Sequence, residues 1–168
     1  ALSHANELAY LIDDLLLLAR MRAGQVTLDV GEVVVSKVVH RVVHDGVRTG
    51  SIGSVEIEGE VTVVADERRL TQVIRNLLTN ATRYGGPRIR VRLESGAGFG
   101  RICVLDDGPG LVDLTEEEAF RAFGTSREMT LTQGIGVGLP VSRLLVEALG
   151  GRLTYERRDD WTCFSATV

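Results

Sequence analysis

Cysteine and lysine are scarce in this chain of 168 residues. Its two cysteines, Cys103 and Cys163, each lie in an apolar, strand-like run and lack the spacing of a metal site or of a disulfide scaffold. We therefore expect buried thiols in a reducing compartment. The single lysine, Lys37, is far from any glycine run. That position excludes a phosphate loop of the G-x-x-x-x-G-K type and the lysine-bearing strand of eukaryotic-type protein kinases.

Long apolar runs and blocks of one charge are also missing. The longest apolar stretch near the start, residues 15–19, is far below the roughly 20 residues that cross a bilayer. The net charge of −4 comes from interspersed acids and arginines, which argues against nucleic acid and against a polybasic membrane contact. Aromatic residues make up only 5% of the chain, but hydrophobic residues make up 44%, enough for an ordinary core. We expect one soluble globular unit with an appendage.

The appendage is the first 24 residues, which have the periodicity of an amphipathic helix. Leu8, Leu11, Leu15 and Leu18 recur at alternating spacings of three and four, a heptad-like seam. Gly24 follows where a left-handed cap would end the helix. We interpret residues 1–24 as the last helix of a bundle that begins upstream, and residues 25–168 as the globular domain.

The remaining chain alternates helices with paired strands. The valine-rich stretch 36–47 is ambiguous, but its valine pairs recur every four residues, so we predict a helix with Ser36 as its N-cap. Asp66 is predicted to cap a helix over residues 67–84. The other predicted elements are strands near 54–59 and 61–65, a hairpin over 88–106, a short helix over 116–123, a helix over 138–149 and two closing strands. This order predicts an α+β two-layer sandwich, with a mixed, mostly antiparallel sheet and helices on one face.

The first motif lies on the helix over residues 67–84 and reads NLLTNATRY. Asn76, Asn80 and Arg83 are spaced four and three apart, which places them on one stripe opposite much of the apolar face. Two carboxamide oxygens beside a cation suit a phosphate-bound Mg²⁺, which prefers oxygen ligands. A polar helix face in water is an equal alternative for this motif alone.

The second and third motifs are rich in glycine. Asp106 opens DDGPG at the end of a strand, where a carboxylate could accept a hydrogen bond from the adenine amine; a plain turn is the alternative. Gly134, Gly136 and Gly138 lead into an amphipathic helix, whose free N–H groups suit an anion. This run is not a dinucleotide fingerprint, because it does not follow a strand and has Leu139 where that pattern needs glycine.

The ordered set of three motifs resembles the ATP-binding domain of sensor histidine kinases. That domain belongs to the Bergerat-fold ATPases, together with gyrase, the MutL mismatch-repair proteins and the large heat-shock chaperone. NLLTNATRY resembles the family's Asn box, and DDGPG and GIGVGL resemble its two glycine boxes. Phe120 and Phe123 resemble its phenylalanine box. The leading helix resembles the end of the dimerisation and phosphoacceptor domain, which the other branches lack.

The resemblance implies Mg²⁺ and ATP as cofactors and assigns the phosphate end of the site. Asn80 would be the principal Mg²⁺ ligand, with Asn76 beside it. Arg83, where the family usually has lysine, would contact phosphate with a forked donor. Arg127, within a lid over residues 124–133, would contact the γ-phosphate; a solvated loop arginine is the alternative. Asn80, Arg83 and Arg127 form the predicted catalytic set.

The resemblance also assigns the adenine end and the hinge. Asp106 would select adenine, Gly108 and Gly110 would make room for its ring, and Tyr84 would lie against the ribose or base. Gly134, Gly136 and Gly138 would form the hinge and phosphate cradle. Val137, Leu139 and Thr162 complete the predicted nucleotide-binding residues.

Two departures from the family pattern limit what the resemblance implies. Trp161 replaces the glycine of the family's Gly-Thr-x-Phe motif, so we expect a changed pocket rim. His4 follows Ser3 without the expected acid and proline, so we expect the phosphoacceptor histidine outside this chain. His40 and His44 are expected to be surface residues.

The resemblance implies a protein-histidine kinase domain that passes the γ-phosphate to a histidine for relay to a response regulator. The expected partners are ATP, a phosphoacceptor domain and that regulator, in a cytoplasmic fragment of a membrane-anchored homodimer. A nucleotide-driven switch and an anti-sigma-type serine kinase of the same superfamily are the alternatives.

Overall fold

The computed structural model describes residues 2–112, 114–121 and 137–168. The helices are α1 (Leu2–Arg22), α2 (Val35–Thr49), α3 (Glu67–Tyr84), α4 (Glu116–Ala119) and α5 (Gly138–Ala148). The strands are β1 (Val30–Val34), β2 (Val55–Glu58), β3 (Thr62–Asp66), β4 (Ile89–Gly96), β5 (Phe99–Asp106), β6 (Arg152–Arg158) and β7 (Trp161–Thr167). These elements confirm the predicted α+β class.

The main sheet is mixed and has the strand order β2-β4-β5-β7-β6. The β2–β4 pair is parallel, and the other neighbours are antiparallel. Alternate side chains of β5 and β7, including Ile102, Val104, Phe164 and Ala166, are buried beneath the helices. Charged pairs such as Arg90 with Glu56 lie on the opposite face, so the helices cover one face of the sheet, as predicted. β1 and β3 form a separate antiparallel pair, although the sequence shows β2 and β3 as neighbours.

The first helix contributes to the same core as the sheet. Leu17 and Leu18 are 4% and 3% exposed and belong to the cluster around α3 and α5. Leu16, on the other side of α1, is 52% exposed. Gly24 has a φ of 66°, consistent with the predicted left-handed cap. The predicted domain boundary after residue 24 stays a prediction.

Two local predictions need correction. The helix predicted to be capped by Ser36 begins at Val35, and Val34 at its N-cap makes no side-chain hydrogen bond. The reason is that β1 runs directly into α2, and Val35 N–H donates to the Val61 carbonyl at 2.9 Å, which satisfies an N-terminal donor without a cap. Cys103 is buried as expected, but Cys163 is only partly buried.

Across the described ranges, no helix is both long and apolar enough to span a membrane.

Candidate functional site

Helix α3 is fixed at its start by Asp66, as predicted. The Asp66 carboxylate accepts hydrogen bonds from the N–H groups of Arg69, at 3.0 Å, and Asp29, at 2.9 Å, and so caps the helix. Leu70, Ile74 and Leu77 bury its apolar face. This anchoring carries Asn80, Arg83 and Tyr84 to the edge of a cavity of about 930 Å³.

Asn76 does not lie on the exposed stripe that its spacing predicts. It is 8% exposed, because α1 and α5 cover this side of α3. Its amide nitrogen Nδ2 lies 3.3 Å from the Gly138 carbonyl, 3.4 Å from Ser142 Oγ and 3.5 Å from Asp14 Oδ2. The periodicity predicts the side of α3 on which Asn76 lies. It does not predict that α1 and α5 pack on that side and bury the residue.

Asp14 is the carboxylate of this buried group. It is 3% exposed, and Gln72 Nε2 donates to its Oδ1 at 2.5 Å. Burial raises the pKa of Asp14, while hydrogen bonds from Gln72 and Asn76 and the nearby charge of Arg75 oppose that rise. Arg75 also lies 4.0 Å above the Tyr10 ring, so α1 borders the cavity through polar as well as apolar contacts.

Asp106 lies at the end of the central strand β5, between Ile89 and Thr162 on the neighbouring strands. It is 4% exposed, and its Oδ1 accepts a hydrogen bond from Gly108 N–H at 2.9 Å. Burial raises the pKa of Asp106, against the hydrogen bonds from the backbone N–H groups of Gly108 and Gly86. Its carboxylate is therefore held by the backbone at one end of the cavity.

Glycine is required in the turn that follows Asp106. A Cβ on Gly108 would lie 2.5 Å from the Gly85 carbonyl carbon, and Gly110 has a φ of 77°. The first position admits no side chain and the second has a left-handed backbone conformation. The turn after Asp106 and the segment at Gly85 thus approach closely where the adenine end of the site was predicted.

Arg157 and Tyr155 hold this turn, and the sequence analysis missed both. Arg157 Nη1 donates to the Gly108 carbonyl at 2.8 Å and to Thr162 Oγ1 at 3.1 Å. The Leu111 N–H donates to the Tyr155 hydroxyl at 3.2 Å. The available signal was the closing hairpin: pairing β6 with β7 puts Arg157 opposite Thr162.

Trp161, the departure from the family glycine, points away from the cavity. Residues alternate between the faces of β7, so Thr162 and Phe164 line the cavity while the indole lies on the other face. There its ring contacts the guanidinium groups of Arg90, at 4.7 Å, and Arg88, at 5.2 Å. Phe120, of the predicted phenylalanine box, packs edge-on against Phe164 at 6.2 Å.

One cavity collects most of the predicted nucleotide-site residues. Those that line it are Asn76, Asn80, Arg83, Tyr84, Asp106, Gly110, Val137, Gly138, Leu139 and Thr162. Gly108 lies behind the lining, in the turn that Arg157 holds. Arg127, Gly134, Gly136, Phe123 and the predicted lid lie outside the described residues.

The carboxamide oxygens of Asn76 and Asn80 are of the ligand type that Mg²⁺ prefers. Asn76 and Asn80 supply neutral carboxamides to one cavity, and Mg²⁺ binds a few protein oxygens while keeping water and phosphate ligands. Among the residues that the structure describes, no group of three or more His, Cys, Asp or Glu side chains could hold a metal ion. A divalent ion at this cavity would therefore depend on the nucleotide phosphates for much of its shell.

Comparison with known proteins identifies the family. The model of the Histidine kinase-, DNA gyrase B-, and HSP90-like ATPases matches residues 65–168. The probable sensor histidine kinase TcrY of Mycobacterium tuberculosis is 31% identical over 173 residues, covering 99% of this chain and 36% of TcrY. The sensor protein KdpD of the same species is 31% identical over 158 residues, covering 89% of this chain and 18% of KdpD. The chain therefore spans 36% of TcrY and 18% of KdpD, well under two thirds of either relative.

Solved structures agree with the sequence comparison. Acinetobacter baumannii histidine kinase AdeS matches 99% of this chain and 80% of its own with a TM-score of 0.79, and at 23% identity it supports the fold. Full-length ShkA in complex with AMPPNP matches 95% of this chain and 35% of its own, with a TM-score of 0.73 and 25% identity. The chain thus belongs to the Histidine kinase-, DNA gyrase B-, and HSP90-like ATPase family, as an ATPase domain of the kind found in sensor kinases.

Proposed function

We propose that this chain binds Mg-ATP and is the catalytic domain of a two-component sensor histidine kinase. In the full-length protein it would donate the γ-phosphate to a histidine, from which a response regulator would receive it. The observation that carries the proposal is one cavity lined by the Asp106 carboxylate together with Asn76, Asn80 and Arg83. The AMPPNP bound to ShkA adds support from a protein of the same fold.

The adenine end supplies selectivity in this proposal. An ionised Asp106 has acceptor oxygens and no donor, so it accepts a hydrogen bond from the exocyclic amine of adenine. Guanine presents a carbonyl oxygen at the equivalent position and would leave the carboxylate facing another acceptor. The hydrogen bond from Gly108 N–H fixes the carboxylate for this contact, and Thr162 lies beside it on β7.

The phosphate end supplies position and charge. Phosphoryl transfer depends on alignment and on neutralising charge on the phosphate oxygens. Asn80 and Asn76 would hold Mg²⁺, which supplies much of that neutralisation when bound. Arg83 would contact phosphate, Tyr84 would lie against the ribose or base, and Arg127 would reach the γ-phosphate. Gly134, Gly136 and Gly138, with Val137 and Leu139, would form the hinge and cradle.

Calorimetric titration with ATP and GTP, each with and without Mg²⁺, tests the binding part of this proposal. The chain should bind ATP more tightly with Mg²⁺ and should reject GTP. Asp106→Asn and Asn80→Ala should each weaken Mg-ATP binding. The matched controls are Asp107→Asn, whose carboxylate instead pairs with Arg88 at 2.6 Å, and Arg68→Ala, an exposed change on α3. A folded chain that binds neither nucleotide would contradict the proposal.

The chemical stability of the transferred phosphate distinguishes the three functions. Labelled γ-phosphate on the full-length protein should be labile in acid and stable in alkali, as expected of phosphohistidine. An acid-stable label would favour the serine kinase. Nucleotide binding with no label would favour the conformational switch. The packing of α1 into the core and its resemblance to a dimerisation helix favour the histidine kinase.

A further inference from the structure

The buried carboxylate of Asp14 joins helix α1 to helix α3 of the proposed ATP site through hydrogen bonds. Asp14, Leu17 and Leu18 are spaced to share one face of the helix, and all three are nearly fully buried. Asp13, the adjacent carboxylate, is exposed. Burying a carboxylate is costly unless hydrogen bonds compensate, and the partners of Asp14 come from α3. The docked position of α1 therefore depends on polar side chains of the helix that carries Asn76 and Asn80.

The contacts around Asn76 determine which way its carboxamide faces. A carboxamide has one donor end and one acceptor end, and its orientation is assigned from the hydrogen-bond network. The Asp14 carboxylate and the Gly138 carbonyl are acceptors, at 3.5 and 3.3 Å from Nδ2. Both require the NH₂ end to face α1 and α5. The oxygen end, which is the end a magnesium ion needs, is then directed away from them.

Asp14 reaches Asn76 both directly and through its neighbour. Gln72 donates to Asp14 Oδ1 at 2.5 Å, and Asn76 donates to the other carboxylate oxygen. Gln72 and Asn76 are one helical turn apart on α3 and so lie on the same face. A single carboxylate thus connects two successive turns of α3 to α1, and Ser142 and Gly138 connect the same amide to α5.

We propose that Asp14 is a positioning residue for the metal end of the site: it orients the Asn76 carboxamide and so couples the docking of α1 to Mg²⁺-assisted ATP binding. This inference rests on the proposed function and adds a residue that lies before the matched ATPase segment. Coupling of this kind is reciprocal. Mg-ATP should therefore favour the docked position of α1 as much as docking favours Mg-ATP.

The test is ATP titration of Asp14→Asn in the 168-residue chain. An asparagine can still accept from Gln72, but it presents an NH₂ group or an uncharged oxygen to Asn76 and nearly preserves the volume. We expect the Mg²⁺-assisted gain in ATP affinity to fall about fivefold or more, with ATP binding in the absence of Mg²⁺ unchanged. Asp13→Asn, which makes the same substitution on an exposed position of the same helix, should leave both affinities unchanged.

The double variant separates positioning from a structural role. If Asp14 acts through Asn76, then Asp14→Asn should have no further effect on Mg²⁺-assisted binding in an Asn76→Ala background. Equal losses in both backgrounds would overturn the inference, as would a single variant that keeps the full Mg²⁺-assisted gain. Both results would leave the proposed function standing, because the unchanged chain would still bind Mg-ATP. Failure of the unchanged chain to bind ATP would instead contradict both.

Discussion

The two ends of the cavity are built in different ways. At the proposed adenine end, Asp106 is held by the backbone N–H of Gly108, two residues away, and by the neighbouring strands. At the proposed metal end, Asn76 is held by two side chains and one carbonyl, 62 and 66 residues away, on α1 and α5. The adenine end is thus part of the sheet, while the metal end exists only where three helices meet. We expect substitutions at the first end to act on ATP itself and those at the second to act on the contribution of Mg²⁺.

Asp106→Asn should have the largest effect on binding. Losing a hydrogen bond to a charged group costs about 1.5–3 kcal/mol, so ATP affinity should fall about 10- to 100-fold, with and without Mg²⁺. Calorimetric titration measures both. An effect confined to the Mg²⁺-dependent part would remove the distinction between the two ends.

The same variant should reveal what the buried carboxylate costs in stability. Burial raises the pKa of Asp106 above its ordinary value of 3.8. The folded chain therefore holds this proton more tightly, and the stability that protonation contributes is complete below 3.8 and lost as pH rises through the folded-state pKa. Asparagine does not titrate. As pH rises from 3.8 through the folded-state pKa of Asp106, thermal unfolding should therefore show the unchanged chain losing stability relative to Asp106→Asn. The opposite trend would mean that the hydrogen bonds from Gly108 and Gly86 outweigh burial.

Arg157→Ala should weaken ATP binding about tenfold, because the Gly108 carbonyl loses a charged donor and the turn after Asp106 loses its support. The loss should be the same with and without Mg²⁺. Arg158→Ala is the matched control, since Arg158 is exposed and pairs with Glu156. A loss of ATP affinity that depends on Mg²⁺ in Arg157→Ala would contradict this prediction, because it would mean that Arg157 acts on the metal rather than on the turn after Asp106.

Leu18→Ala should loosen α1 without touching a polar group. A buried leucine that becomes alanine costs about 2–5 kcal/mol, and the Mg²⁺-assisted gain in ATP affinity should shrink a few-fold. Leu16→Ala, on the exposed side of the same helix, should change neither the stability nor the Mg²⁺-assisted gain in ATP affinity. Chemical unfolding together with calorimetric titration measures both effects. Destabilisation with an unchanged Mg²⁺ effect would show that α1 packing and the metal end are independent.

Trp161→Gly should have the smallest effect on binding. The indole contacts Arg88 and Arg90 on the face of β7 away from the cavity, so stability should fall by about 1 kcal/mol and ATP affinity should change less than about twofold. Thermal unfolding and titration test this pair of effects. A larger change in affinity would mean that the indole acts on the nucleotide through the strand.

The position of Asp106 follows from the sequence more directly than the burial of Asn76 does, for a physical reason. Asp106 and the glycines after it follow from local turn chemistry and from their place at the end of a strand. The burial of Asn76 depends on Asp14 and Ser142, which no local pattern connects to it. The contact of Arg157 with Thr162 follows from the register of the β6–β7 hairpin, which places the two residues opposite each other. The start of α2 was misjudged by two residues, with Val34 as the N-cap where Ser36 was predicted, because strand pairing replaced a side-chain cap.

The most direct test of two separable ends is a double-mutant cycle of Asp106→Asn and Asn80→Ala, titrated with ATP in the presence and absence of Mg²⁺. We predict that Asp106→Asn lowers affinity equally under both conditions, that Asn80→Ala lowers it only with Mg²⁺, and that the two losses add in the double variant. A Mg²⁺-dependent effect of Asp106→Asn, or strongly non-additive losses, would contradict the account.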